Sequence, residues 1–193
     1  MEQNKRQLQK DATRKRILQT AYEVYSQDGF HATTNQIAKA AKIAHGSIFV
    51  HFPAVEDLKA SLLEQFGRDL NQELHELSVN NGSLEDFLYT HIKILMKHQR
   101  FYKRLITESS LLPRQVTYIY VSIQSTVSFH MGNLIEVCQK EGKIKKLPVY
   151  FIFNTWLGLL HYYIINEELF APDGSVLNRY KEELVRNFIE LIT

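Results

Sequence analysis

The sequence predicts an all-α protein, on three observations. Apolar residues recur at three- and four-residue steps along most of the chain. Helix-start and helix-stop residues punctuate those periodic runs. No stretch sustains period-two alternation between turn residues, and no internal repeat or low-complexity tract is present. The 193 residues can bury a substantial core, as one large domain or two unequal ones. Nearly half of them are apolar, which argues against disorder.

The chain is organised around Thr33 to Phe52. This stretch reads as two short helices with a break near Lys42 to Ala44. Thr33 and Gln36 have the spacing of a capping box, in which the hydroxyl accepts from an orphan amide and the glutamine returns to the cap's own N–H. Ile37, Ala38 and Ala41 give the first helix a small apolar face. Ile43, Ile48 and Phe52 point inward after the break, leaving His45, Ser47, Phe49 and His51 facing out. Ala38, Ala41 and Gly46 are small enough for close approach of the two helices. Two short helices crossing on a tight turn, the second polar outside, form a helix-turn-helix reader for the DNA major groove.

Residues Arg14 to Leu58 resemble the DNA-binding region of the TetR family of bacterial transcriptional regulators. The pattern is Ile17, Leu18 and Ala21, then Gly29, Thr33, Ile37-Ala38, Ala40-Ala41, Gly46-Ser47-Ile48, His51-Phe52, Glu56 and Leu58. The resemblance implies a three-helix helix-turn-helix domain over residues 1–54. It also implies a helical bundle for effector binding and dimerisation over 55–193. Asn35 and His45 would then lie near base edges, and Thr34, Ser47 and His51 near phosphate or base. Thr33, Gln36, Lys42, Gly46 and Phe49 complete the expected DNA-binding set. Four positions depart from the family pattern. Lys42 stands where the turn has glycine, a cost of about 1 kcal/mol if φ is positive. Ala44 stands where the next helix has a polar cap. Phe49 replaces a tyrosine, and Val55 a lysine, that each touch a DNA phosphate in similar proteins.

Net charge is only +2, so the chain as a whole is not a polycation. Before Phe52, however, Lys5, Arg6, Lys10, Arg14, Lys15, Arg16, Lys39 and Lys42 outnumber Glu2, Asp11, Glu23 and Asp28. A basic run beside a helix-turn-helix points to phosphate contact. A single cysteine, Cys138, excludes an internal disulfide framework and fits a reducing cytoplasm; its place on an apolar helix face suits a small core residue. The polar N-terminus has no signal-peptide pattern. Leu147 to Asn166 carries no charge and follows Lys143, Lys145 and Lys146, as a membrane span would. Pro148, Asn154, His161 and three tyrosines favour burial in a helical bundle instead, so no membrane partner is expected.

In chain order, residues 1 to about 10 read as a mobile basic arm, with Asp11 or Thr13 capping a first helix. That helix carries Ile17, Leu18, Ala21, Val24 and Tyr25 on one stripe and ends at Gly29, with Phe30 tucked beneath the reader. A long helix follows Pro53 to about Ser78, with Leu58, Leu62, Phe66, Leu70, Leu74 and Leu77 inward, and serves as a candidate lever. Asn80-Asn81-Gly82 breaks it, and Ser83 with Asp86 starts the next. Further helices are expected over Leu84–His98, Gln99–Ser110 and Arg114–Glu141, the last with Val116, Tyr120, Ile123, Val127, Leu134 and Cys138 inward. Gly142 ends it, and Pro148 suits the first turn of the uncharged helix. After a loop at Asp173-Gly174, a final amphipathic helix carries Leu177, Tyr180, Leu184, Phe188 and Leu191.

The region after Asn80 is rich in aromatics, and an aromatic-lined cavity suits a small, largely apolar ligand. The candidate lining is Phe66, Leu95, Phe101, Tyr102, Tyr120, Ile123 and Trp156. His91, His98, His130 and His161 show no metal-ligand spacing, so no metal or cofactor is expected. Without a nucleophile elbow, phosphate loop or paired-cysteine motif, the chain does not read as an enzyme. The uncharged helix and the Leu177–Leu191 stripe together expose too much apolar surface for a monomer, which predicts a homodimer. A DNA operator, a small-molecule effector and a second copy of the chain are therefore the expected partners.

Overall fold

The computed structural model describes residues 2–80 and 82–193. Its helices are α1 (Glu2–Asp28), α2 (Thr34–Ala40), α3 (Gly46–His51), α4 (Val55–Val79), α5 (Leu84–Lys97), α6 (Gln99–Glu108), α7 (Arg114–Lys140), α8 (Val149–Ile165), α9 (Glu167–Phe170) and α10 (Val176–Ile192). A short 3-10 turn, Ser109–Leu111, follows α6, and no strand occurs among the described residues. The all-α expectation is met.

The chain forms two compact units. The first runs to Gln65 and includes Arg100–Ile119; the second comprises Phe66–Gln99 and Tyr120–Thr193. In the first unit, α1 buries Ile17, Ala21 and Tyr25. Phe30 is buried and stacks on Tyr25 with ring centroids 5.2 Å apart. Phe101 of α6 completes this core, 4.8 Å from Tyr22 and 5.5 Å from Phe30. In the second unit α10 packs on α5 and α8. Trp156 lies at its centre, 4.9 Å from Phe188, and its indole N–H donates to His91 Nδ1 at 3.1 Å. Ser175 caps α10, and its hydroxyl donates to Gln99 Oε1 at 2.5 Å. Gln99 in turn donates to Glu167 Oε2 at 2.5 Å.

Several expectations are corrected. The basic N-terminal arm is helical, because α1 starts at Glu2 and not at Asp11 or Thr13. Asp11 accepts from Gln7 at 2.9 Å and Thr13 donates to Gln9 O at 2.9 Å, so both serve within the helix and not as caps. The run Lys5 to Lys10 contains good helix formers, which lets the helix extend. Of the stripe expected on α7, Leu134 and Cys138 are only half-buried, while Met131 and Ile135 are buried. A spacing of four residues from Val127 keeps the inward face in line. On α10, Leu191 is 59% exposed and Tyr180 half-buried, while Val185 and Ile192 are buried. Pro148 sits at the cap of α8, just outside the first turn. The short α9 was not anticipated from the sequence. The break at residues 80–82 is kept, although residue 81 lies outside the described residues. Its following capping box is formed: Ser83 N donates to Asp86 Oδ2 at 2.9 Å, and Asp86 N to Ser83 Oγ at 3.1 Å. No helix among the described residues is long and apolar enough to cross a membrane.

Candidate nucleic-acid interface

The turn that leads into the reader is held from two directions. Gly29 ends α1 with a φ of +87°, a conformation that costs little only for glycine. A Cβ there would also strike the Glu108 carboxylate. That carboxylate accepts from the Phe30 amide at 2.7 Å. Arg104 donates to Gln27 O at 2.6 Å and pairs with Glu108 at 3.6 Å. Nothing in the local sequence signals this clamp, since Glu108 is 78 positions from the amide it holds.

The capping box at the start of α2 is present in full. Thr33 N donates to Gln36 Oε1 at 2.8 Å, and Gln36 N donates to Thr33 Oγ1 at 3.3 Å. Gln36 thereby commits its side-chain oxygen to the cap. Ile37, Ala38, Ala41, Ile48 and Phe52 are buried, which fixes α2 against α3. Lys42 occupies the turn with a φ of 53°, the left-handed conformation that the glycine pattern implied. The cap of α3 is His45, not Ala44, and it makes no side-chain cap bond. Its ring reaches across the turn instead: His45 Nε2 and Thr34 Oγ1 are 2.8 Å apart, and the ring meets Phe49 edge-on at 5.3 Å. Thr34, His45 and Phe49 therefore form one patch spanning both reader helices.

The residues expected to contact DNA differ in exposure. Thr33, Asn35, Gln36, Lys42, His45, Gly46 and Phe49 are exposed, and Thr34, Ser47 and His51 are half-buried. His51 ends α3, and its Nδ1 is buried without a hydrogen-bond partner. Burial, and then the Lys10 and Arg14 cations, hold its pKa below the usual histidine value. Arg14 lies over the Phe52 ring at 4.6 Å and donates to Ser61 Oγ at 3.2 Å. Lys10, Arg14, Lys15 and Arg16 are all exposed on α1. An open hollow of about 390 Å³ lies beside this face, lined by residues 30–34 with Phe49, Val55 and Lys59. Lys59 was missed in the sequence, although it stands one helical turn beyond Val55 on the same face of α4.

Residues 17–62 match the family model described as "Bacterial regulatory proteins, tetR family". This helix-turn-helix region is of the TetR type. The chain is 27% identical to the HTH-type transcriptional regulator RutR of Escherichia coli, over 93% of this chain and 90% of that protein. It is 29% identical to the uncharacterized HTH-type transcriptional regulator YuxN of Bacillus subtilis over 67% of this chain, and there it spans about half (47%) of that protein's length. Its fold matches that of the transcriptional regulator FadR from Bacillus subtilis in complex with stearoyl-CoA. That match has a TM-score of 0.74 at 17% identity, over 92% of this chain and 98% of that one. Proteins of that family are transcriptional regulators and not enzymes.

The ligand-pocket candidates fall into both units. Phe66, Leu95, Tyr120, Ile123 and Trp156 belong to the second unit, and Phe101 and Tyr102 to the first. All seven are buried. Phe101 packs within the core beneath the reader. In the second unit, Gly67 meets Ile123 so closely that a Cβ at Gly67 would come within 2.8 Å of Ile123 Cγ1. Tyr120 accepts from Gln124 at 2.8 Å. Buried His91 and half-buried His161 add polarity there: burial lowers the pKa of His91 to about 3 and that of His161 to about 4.

Proposed function

We propose that this TetR-family chain is a transcriptional repressor that binds a near-palindromic operator as a homodimer and is released by a small, largely apolar ligand. The observation that carries the reading is the patch of α2 and α3. It presents Asn35, His45 and Ser47 on one outward face, with exposed cations of α1 beside it. Forked amides and imidazoles suit base edges, and hydroxyls and cations suit phosphates.

Dimerisation is supported by α8. Ile152, Trp156, Leu160 and Ile164 face the core, whereas Tyr150, Phe151, Tyr162 and Ile165 remain exposed on a helix without charge. A second copy packed on that face would remove the apolar stripe from water. Two-fold symmetry would present two copies of α3 to half-sites about 34–36 Å apart, or a multiple of that. The ligand class is supported by the aromatic content of the second unit and by the FadR relative of similar fold, which was solved with stearoyl-CoA. A ligand releases DNA only if it binds one arrangement of the protein better than another, and a coupling of about 1–3 kcal/mol is typical. α4 belongs in part to each unit and is the element through which that preference would act.

The test is operator binding with and without ligand. Genomic fragments retained by the protein supply the operator, and a long-chain acyl-CoA supplies the first ligand tried. Loss of DNA affinity by about 5- to 150-fold on ligand binding is expected. A bound ligand that leaves operator affinity unchanged defeats the release mechanism, and sedimentation as a monomer at micromolar concentration defeats the dimer.

A further inference from the structure

The hollow beside α2 is lined in part by Phe49 and Val55, whose side chains offer a phosphate no hydrogen-bond donor. Thr34 and Lys59 line it too. Val55 and Lys59 are four residues apart on α4, hence on one face of the helix. Valine fills little of the space that a lysine would take at the rim, which leaves the hollow open down to the next turn. There Lys59 stands half-buried, its ammonium 5.7 Å from the centre of the Tyr25 ring.

Resting on the DNA-binding reading above, we propose that Lys59 is the cation that meets a DNA phosphate here, through the hollow that Val55 leaves open. A compact ammonium on a four-carbon stem suits this role, because it can swing within the hollow without displacing the stem from the core. Thr34 supplies a hydroxyl at the same rim, already oriented by His45 at 2.8 Å. Burial lowers the pKa of Lys59, and the Glu56 and Glu108 carboxylates act against that and favour its charged form. Glu108 is committed to the Phe30 amide and to Arg104, which fixes its position. A cation of the hollow's lining thus stands one turn along α4 from Val55.

The experiment titrates the full chain against a fluorescent duplex of arbitrary sequence at several salt concentrations. Wild type is compared with Lys59→Met, Val55→Lys and the double variant. Methionine keeps the stem over Tyr25 and removes only the charge, and thermal melting checks that each variant is folded. Lys59→Met is expected to weaken binding roughly three- to tenfold at low salt, and to lower the salt slope by roughly 0.9 for each copy of the chain bound. Val55→Lys in the Lys59→Met background is expected to restore both. An unchanged slope in folded Lys59→Met overturns the proposal, whether or not affinity falls, because a merely structural lysine releases no counterion. A wild-type chain that binds no duplex at any salt concentration overturns the DNA-binding reading itself.

Discussion

The reader, residues 33–52, and the centre of the second unit around Trp156 use side chains in opposite ways. In the reader, the residues expected to work are exposed or half-buried, and short bonds hold them: the Thr33–Gln36 cap and the Thr34–His45 contact. Around Trp156 every candidate is buried, and packing holds it. Substitution in the reader should therefore cost function at almost no cost in stability. Substitution in the second unit should cost stability first. A side chain's job is separable from the fold only where water already surrounds it.

Trp156→Ala is the strongest test of the second half of this contrast. Trp156 is fully buried, and its loss leaves a cavity beside Phe188 and leaves His91 Nδ1 without its donor. A loss of about 3–5 kcal/mol is expected in urea unfolding. A loss under about 1 kcal/mol would show that the site is not a packed core.

Acid stability comes next. The pKa of His91 falls from 6.5 in the unfolded chain to about 3 in the fold, chiefly through burial. A folded pKa below the unfolded one gives stability that is present above pH 6.5 and is lost as pH falls towards 3. The slope in that window is up to about 1.4 kcal/mol per pH unit for one proton. His91→Gln still offers Trp156 an acceptor and should flatten the acid limb. His161, lowered to about 4, keeps part of it. Unfolding curves between pH 7 and 4 that superimpose for both proteins would contradict the assignment.

Gly29→Ala should cost about 1–2 kcal/mol from the left-handed backbone alone, plus the clash with Glu108. Removing that carboxylate with Glu108→Ala should recover only the clash, so a double-mutant cycle separates the two terms. The smallest backbone effect is Lys42→Gly, which relieves a φ of 53° and should raise stability by up to about 1 kcal/mol. It should also weaken DNA binding if Lys42 meets phosphate. A variant of unchanged stability would mean that the lysine carries no strain.

These two regions also differ in how far the sequence revealed them. The reader was legible because its signals are local: a cap with its partner three residues on, a glycine at a left-handed turn, small residues where helices cross. The same locality exposed the strained Lys42. What escaped was non-local. Glu108 reaches the Phe30 amide from another helix, and no pattern near either residue announces it. Helix ends shifted for a related reason. α1 extends to Glu2 because residues that look like a polar arm are also good helix formers. In the second unit, the periodic stripes placed the helices. They could not assign Phe101, whose buried ring belongs to the core beneath the reader. Core packing and cavity lining select the same apolar residues, so the pattern does not distinguish them.

The central claim is that the outward face of α2 and α3 reads DNA. Asn35 and Ser47 are the cleanest probes, since Asn35 is exposed and neither takes part in the cap. The decisive measurement is selection of genomic fragments by the purified chain, run beside the Asn35→Ala, Ser47→Ala double variant. The wild type should enrich fragments sharing a near-palindromic sequence. The variant should keep the wild-type melting temperature and lose about 1–3 kcal/mol of discrimination for each base contact removed. Equal enrichment of the same fragments by both proteins would contradict the claim.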